Sequence, residues 1–336
     1  MKFKTTKVLL AALIIIGLIA SGCGQTDKAV NVEKKTVEQP KEIHIAYQTS
    51  STIILLAKAK GFYEEEFAKD GIAVKYDLYL AGPPMIEAFA GGRADFASTG
   101  DMPPVSARSA GVDIKIISRA GYTPTGNALL VKNDSSYKTV SDLKGKKIAV
   151  QIGSSAHHFL ILLLKGNSLS PSDVSIVNLP ATDQQNALNS GNVDAVATWE
   201  PWSSQLENAK AGKILADSSN GVKRYVQVFL ARNDFAQKYP DITSRVLKAN
   251  EKALEFLKKN PDTALELIAK ESKLPPASLT RIVKATDWNS RIVAEDIAAF
   301  QQVKDFLKET KVLKKDFDIK ELFDDRYWKK LALSEQ

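Results

Sequence analysis

Beyond Ile43 the chain alternates short apolar runs with longer helical stretches, and no other feature restricts its fold so strongly. Residues 44–47, 74–80, 95–98, 114–118 and 128–132 read as strands. Residues 53–61, 83–90 and 103–110 read as helices, with Gly91 and Gly111 as stops and proline in the first turn of the last two. Strands separated by such helices make βαβ units, hence a largely parallel sheet and an α/β fold. After a short turn at 141–145 a second series begins, with strands at 147–151, 174–178 and 195–198 and helices at 157–165, 183–190 and 202–211. Residues 225–231 form an apolar strand leading back. From Phe235 the pattern is helical, with amphipathic stretches at 244–258, 261–271 and 294–309.

Two such series with a return predict two lobes: 43–128 with 229–336, and 129–228. The chain is expected to cross at 128–132 and recross at 225–231, two strands that make a hinge. Its 336 residues, 44% hydrophobic and 25% charged, suffice for two cores and exclude a disordered chain.

The N-terminus carries Lys2, Lys4 and Lys7, an apolar run over 8–20, and then Ser21-Gly22-Cys23. A basic start, an apolar run of about a dozen residues and small residues before a cysteine read as a lipoprotein leader over 1–23. Cys23 is the single cysteine of the chain and the expected lipidation site. Residues 24–42 are polar, without apolar periodicity, and read as a flexible tether. The protein is therefore expected outside the cytoplasm, held by lipid on the outer face of the cell membrane, because two or more acyl chains anchor stably where one is marginal. The leader lysines contribute three of the formal net charge of +7, and the rest is spread without dense basic runs, so nucleic acid is not an expected partner. Three scattered histidines without a second cysteine make no metal site.

The loops between strands and helices carry the motifs: Tyr47-Gln48, Ala81-Gly82-Pro83, Ser98-Thr99-Gly100-Asp101-Met102-Pro103-Pro104, Gly153-Ser154-Ser155-Ala156-His157 and Trp199-Glu200-Pro201. In this order they resemble the aliphatic-sulfonate and taurine binding proteins of bacterial ABC importers. The similarity runs from Ile43 to about Arg326, and includes Asp142-Leu143-Lys144-Gly145-Lys146 and Gly191-Asn192-Val193-Asp194-Ala195. It implies two doubly wound lobes of the type II periplasmic binding protein kind, closing on a small organic anion in the cleft between them. It also implies a partner permease and ATPase, a monomeric receptor without cofactor, and no catalysis. The chain carries no Gly-x-x-x-x-Gly-Lys-Ser/Thr phosphate loop of its own.

In open α/β sheets, ligands sit beyond the carboxyl ends of the strands, where helix starts present unpaired N–H groups that hold an anion without Lys or Arg. A sulfonate has three equivalent oxygens, stays ionised, and suits several neutral donors from both lobes. Gly153, Ser154, Ser155 and His157 from one lobe, and Ser98, Thr99 and Gly100 from the other, are the expected contacts, with Asp101 as a helix cap or loop brace. Gln48 can donate an amide to the same group or face solvent. The serines can cap the helix, bind the anion, or divide the two tasks. His157 can donate to the ligand or pack at the helix start, while His158 is structural and His44 faces outward. Trp199 and Glu200 resemble a family stretch whose acidic residue lies beside the ligand's far end. The other reading of Glu200 is an interlobe hydrogen bond. Trp288 can cover an alkyl chain or belong to the core.

Two rival readings remain. One keeps the receptor and changes the ligand to taurine, nitrate, an aromatic carboxylate or a thiamine pyrimidine precursor. The other is an enzyme on the same fold, a pyrimidine synthase or an ester hydrolase. It lacks a cysteine nucleophile or a Ser-His-Asp set.

Overall fold

In the computed structural model, which describes residues 38–334, the apolar runs become strands, buried at the centre of each sheet and partly exposed at the edges formed by Ala73–Leu78, Ser175–Asn178 and Gly212–Asp217. In chain order they are β1 (Glu42–Tyr47), β2 (Ala73–Leu78), β3 (Phe96–Thr99), β4 (Ile114–Tyr122), β5 (Asn127–Lys132), β6 (Lys147–Val150), β7 (Ser175–Asn178), β8 (Ala195–Trp199), β9 (Gly212–Asp217) and β10 (Val226–Arg232). They form two five-stranded sheets, ordered β2-β1-β3-β10-β4 and β7-β6-β8-β5-β9. In the first, β1 runs parallel to β2 and β3, and β10 lies antiparallel between β3 and β4. The second repeats the scheme: β6 is parallel to β7 and β8, and β5 lies antiparallel between β8 and β9. The leader with Cys23, and the tether up to residue 37, lie outside the described residues.

Each strand expected to cross between lobes lies inside one sheet. The crossings come just before them, at 123–126 and 218–225, the second opening with a 3-10 turn over Ser218–Asn220.

Around the first sheet stand α1 (Thr52–Lys60), α2 (Phe62–Phe67), α3 (Gly82–Ala90) and α4 (Met102–Ser109). Around the second stand α5 (Ser155–Gly166), α6 (Ala181–Asn189) and α7 (Trp202–Asn208). Six more close the chain: α8 (Asn233–Lys238), α9 (Pro240–Lys259), α10 (Pro261–Ser272), α11 (Pro276–Ala285), α12 (Ala294–Glu309) and α13 (Arg326–Ser334). Proline opens α9, α10 and α11, where its missing N–H has no helical partner to lose. Side chains alternate across each sheet. Ile43, Ile45 and Phe229 pack under α1, α2 and α9, while Val226, Val228 and Leu230 pack under α4 and α12. In the second lobe, Leu129 and Val131 meet α5, while Ala128 and Leu130 meet α6 and α7. Residues 128–131 are all fully buried, as expected of a strand with both faces covered.

Candidate functional site

The site begins where β1 and β3 end. Gln48 N donates to Ser51 Oγ at 2.9 Å, and that hydroxyl donates to Ser98 O at 3.3 Å, tying the first loop to the end of β3. Gln48 is buried, and its Nε2 has no hydrogen-bond partner in the protein. Gly82, which opens α3, presses on the same place. A Cβ there would stand 2.8 Å from Thr99 Oγ1 and 2.3 Å from Pro103, so only glycine lets the starts of α3 and α4 sit so close.

The second lobe answers with the start of α5. Gly153 takes a φ of +83°, which turns the chain into the helix. Ser154 is the cap: its Oγ donates to Gln151 O at 2.7 Å and accepts from His157 N at 3.4 Å. Ser155 is therefore left out of the cap, and it lies against the other lobe. A Cβ on Gly100 would come 2.4 Å from Ser155 Oγ, and one on Gly153 would come 3.3 Å from Pro83. Seven expected residues, Gln48, Ser98, Thr99, Gly100, Gly153, Ser154 and Ser155, thus gather where helix starts of the two lobes meet.

At the centre stands Tyr225, which sequence reading took only as the first residue of a strand. Its ring fills space that Gly126 and Gly100 leave open: a Cβ at Gly126 would lie 1.9 Å from Cδ1, and one at Gly100 3.2 Å from Cε2. Gln227 Nε2 donates to its hydroxyl at 3.2 Å. Burial pushes the phenol up, so it stays protonated. Lys223, in the second crossing, lies 5.4 Å over this ring and pairs with Asp101. Asp101 was expected to cap α4 or brace the loop. It makes no side-chain cap bond; Lys223 pairs with its Oδ2, so the brace runs to the crossing segment. Burial raises the Asp101 carboxyl and lowers the Lys223 ammonium, each opposed by its partner.

Beyond Tyr225 lies the end of β8. Trp199 is buried against the α5 side of the sheet. Glu200 is fully buried; its Oε1 accepts from Ser203 Oγ at 2.7 Å and from Arg281 Nη1 at 3.1 Å, and its Oε2 has no partner. Arg281 belongs to α11, so this pair joins the lobes. Asn127 faces Trp199 in the β5–β8 ladder with both side-chain amide atoms buried and unpartnered, and Glu200 N bonds Gly126 O at 3.0 Å. Nothing local in the sequence marks Asn127, Lys223, Tyr225 and Arg281, because what surrounds each is brought in from distant segments.

The remaining residues stand further out. Trp288 packs in the first lobe beside Gly121 and spends its indole N–H on Val283 O at 2.9 Å. His157 and His158 both pack on Phe306 of α12, at ring separations of 5.7 and 4.9 Å. Burial lowers both pKa values, His158 the more. His44 is partly exposed, between Glu42 and Asp77. Among the described residues, no group of three His, Cys, Asp or Glu side chains could hold a metal ion.

Residues 48–264 match the profile of the family described as NMT1/THI5 like. The chain belongs to the NMT1/THI5-like family. Over 328 residues, 97% of each chain, this member is 35% identical to a protein of Bacillus subtilis (strain 168) that carries the provisional name aliphatic sulfonates-binding protein. It is 30% identical over 302 residues to the taurine-binding periplasmic protein of Escherichia coli (strain K12), covering 86% of this chain and 85% of that one. The solved alkanesulfonate-binding protein SsuA from Xanthomonas axonopodis pv. citri, bound to MOPS, superposes with a TM-score of 0.77 at 28% identity, over 85% of this chain and 99% of that chain. The resemblance read from the loops, and the two-lobed α/β fold it implied, agree with these matches.

Proposed function

We propose that this protein is the substrate-binding component of an ABC importer, a receptor without catalytic activity that captures aliphatic sulfonates between its lobes and passes them to a separate permease and ATPase. The observation that carries the reading is the meeting of Gly100 and Ser155, which brings the serine- and glycine-rich helix starts of both lobes together. Gln48, Ser98, Thr99 and Gly100 would hold the sulfonate from one lobe, and Gly153, Ser154 and Ser155 from the other, with His157 packed on Phe306 behind them. Helix-start amides and neutral side chains suit a permanently ionised group with three acceptor oxygens. Lys223, which lies over the Tyr225 ring, is already neutralised by Asp101. Trp199 and Glu200 would lie toward the organic part of the ligand, whereas Trp288, packed in the first lobe with its indole N–H on Val283 O, takes the core role. In this reading the bodies that close are 43–122 with 226–334, and 127–217, turning about 123–126 and 218–225, because 127–128 belong to β5 of the second sheet and 226–228 to β10 of the first.

Against an enzyme, neither His157 nor His158 hydrogen-bonds a carboxylate through its ring among the described residues, so no Ser-His-Asp relay is assembled. We further propose that the receptor works as a monomer held at the outer face of the cell membrane through lipid on Cys23.

A thermal-denaturation panel tests the ligand class. Short alkanesulfonates should stabilise the protein, by about 2.7 kcal/mol at one hundred times the dissociation constant. Stabilisation by nitrate, an aromatic carboxylate or a pyrimidine, with none by any sulfonate, would leave a receptor with a different ligand.

A further inference from the structure

Arg281 approaches Glu200 from the opposite lobe. Its Nη1 donates to Glu200 Oε1 at 3.1 Å, and its Nη2 pairs with Glu207 of α7. Ser203 donates to the same Oε1, so one carboxylate oxygen has two partners while Oε2, also buried, has none. Asn127, which pairs with Trp199 at the end of the β5–β8 ladder, keeps both amide atoms buried and unpartnered, and the backbone just before it, Gly126 O, accepts from Glu200 N. Burial raises the Glu200 carboxyl, opposed by Ser203 and Arg281, so a Glu200 that stays ionised needs a nearby positive charge to offset its desolvation. A guanidinium of the protein or an ammonium of the ligand could supply it.

We propose that Arg281 is a specificity-determining residue: by neutralising Glu200 from across the cleft it fills the role a ligand ammonium would play, so the site takes sulfonates with uncharged tails and rejects aminosulfonates. The proposal rests on the sulfonate reading given above. An ammonium brought to Glu200 would meet the Arg281 guanidinium and lose its water without gaining a free partner charge. A hydroxyl tail fits better. It can donate to Glu200 Oε2 or to the Asn127 amide oxygen and accept from the amide nitrogen, which satisfies groups whose burial is otherwise uncompensated.

The test is the affinity ratio between 2-hydroxyethanesulfonate and taurine, which differ only in the terminal group, measured by calorimetric titration of the purified full chain. The wild-type protein should bind the hydroxyl compound at least about tenfold more tightly, a difference of about 1.4 kcal/mol. Arg281→Gln should move the ratio toward taurine by a similar factor, and Arg281→Lys, which keeps the charge, should restore the wild-type ratio. The ratio is internal to each variant, so a general loss of stability does not move it. If Arg281→Gln does not fold, Asn127→Asp supplies a carboxylate that Arg281 does not neutralise, and taurine should gain. A wild-type preference for taurine overturns the proposal, as does a ratio unmoved in the folded variant while both ligands still bind. Absence of binding by either sulfonate to the wild-type protein overturns the sulfonate reading and this inference together.

Discussion

Lys223 and Asp101 form an ion pair in which neither side chain is more than 2% exposed, and it joins the second crossing segment to the start of α4. Two charges removed from water gain from each other about what they lose to desolvation, so the pair as a whole adds little stability. Breaking it is another matter. The Asp101 carboxylate would be left buried, with Oδ1 already unpartnered.

Lys223→Met should therefore destabilise the protein by about 3–5 kcal/mol, and the double variant Lys223→Met with Asp101→Leu should recover much of that loss. Urea unfolding measures both. A single-variant loss below about 1 kcal/mol would mean that water reaches the pair.

Stability should fall on mild acidification. Burial holds His158 well below its ordinary value, with Lys223 and His157 adding to the effect, so the folded state keeps it neutral. A depressed folded pKa gives stability that is present above the unfolded value, near 6.5, and lost as pH falls below it. The loss for one such histidine is up to about 1.4 kcal/mol per pH unit. His157 is lowered by burial and acts in the same sense. His44 acts in the opposite sense: desolvation is outweighed by Glu42 and Asp77, its pKa is raised, and its contribution is lost as pH rises. The variant isolates the effect. Unfolding curves of His158→Leu between pH 6.5 and 5 should be flatter than those of the wild-type protein, and equal slopes would contradict the assignment.

Gly100→Ala should separate closure from folding. The new methyl would come 2.4 Å from Ser155 Oγ, on the other lobe, a clash the lobes can relieve by parting, and 3.2 Å from Tyr225 Cε2, a contact that a small shift of the ring relieves. Ligand-free stability should change by less than about 1 kcal/mol, against about 1–3 for overpacking inside a single core. Sulfonate affinity should drop about tenfold or more, equivalent to at least about 1.4 kcal/mol of lost closure. Unchanged affinity would show that the two helix starts need not meet in the bound state.

Cys23→Ser should release the protein from the membrane, since no helix among the described residues is long and apolar enough to cross one. Fractionation of cells in high salt checks this, and a variant that still sediments with membranes has another anchor.

Much of the fold was legible because strand and helix periods differ and glycine and proline mark the ends. The helix read at 294–309 is α12 (Ala294–Glu309). β9 went unread because it is a short edge strand, partly exposed along most of its length, with one lysine and one aspartate among its six residues. β4 was cut short at Ser118, since Arg119 breaks the apolar run. That guanidinium is buried, held by Asn289 O at 2.7 Å and by Asp287. The site divides in the same way. Its loops were legible from serine, glycine and proline at strand ends. The charges that tune it were not: Arg281 lies 81 residues from Glu200, and Lys223 lies 122 from Asp101. Only the packed lobes make them neighbours.

The central claim is that neutral donors from two facing helix starts select a sulfonate. Calorimetric titration with ethanesulfonate and propionate, two anions with the same two-carbon tail, tests it most directly. Losing one of three acceptor oxygens removes at least one charge-assisted hydrogen bond, worth about 1.5–3 kcal/mol, so ethanesulfonate should bind about tenfold or more tightly. Equal affinities, or tighter binding of propionate, would contradict the account.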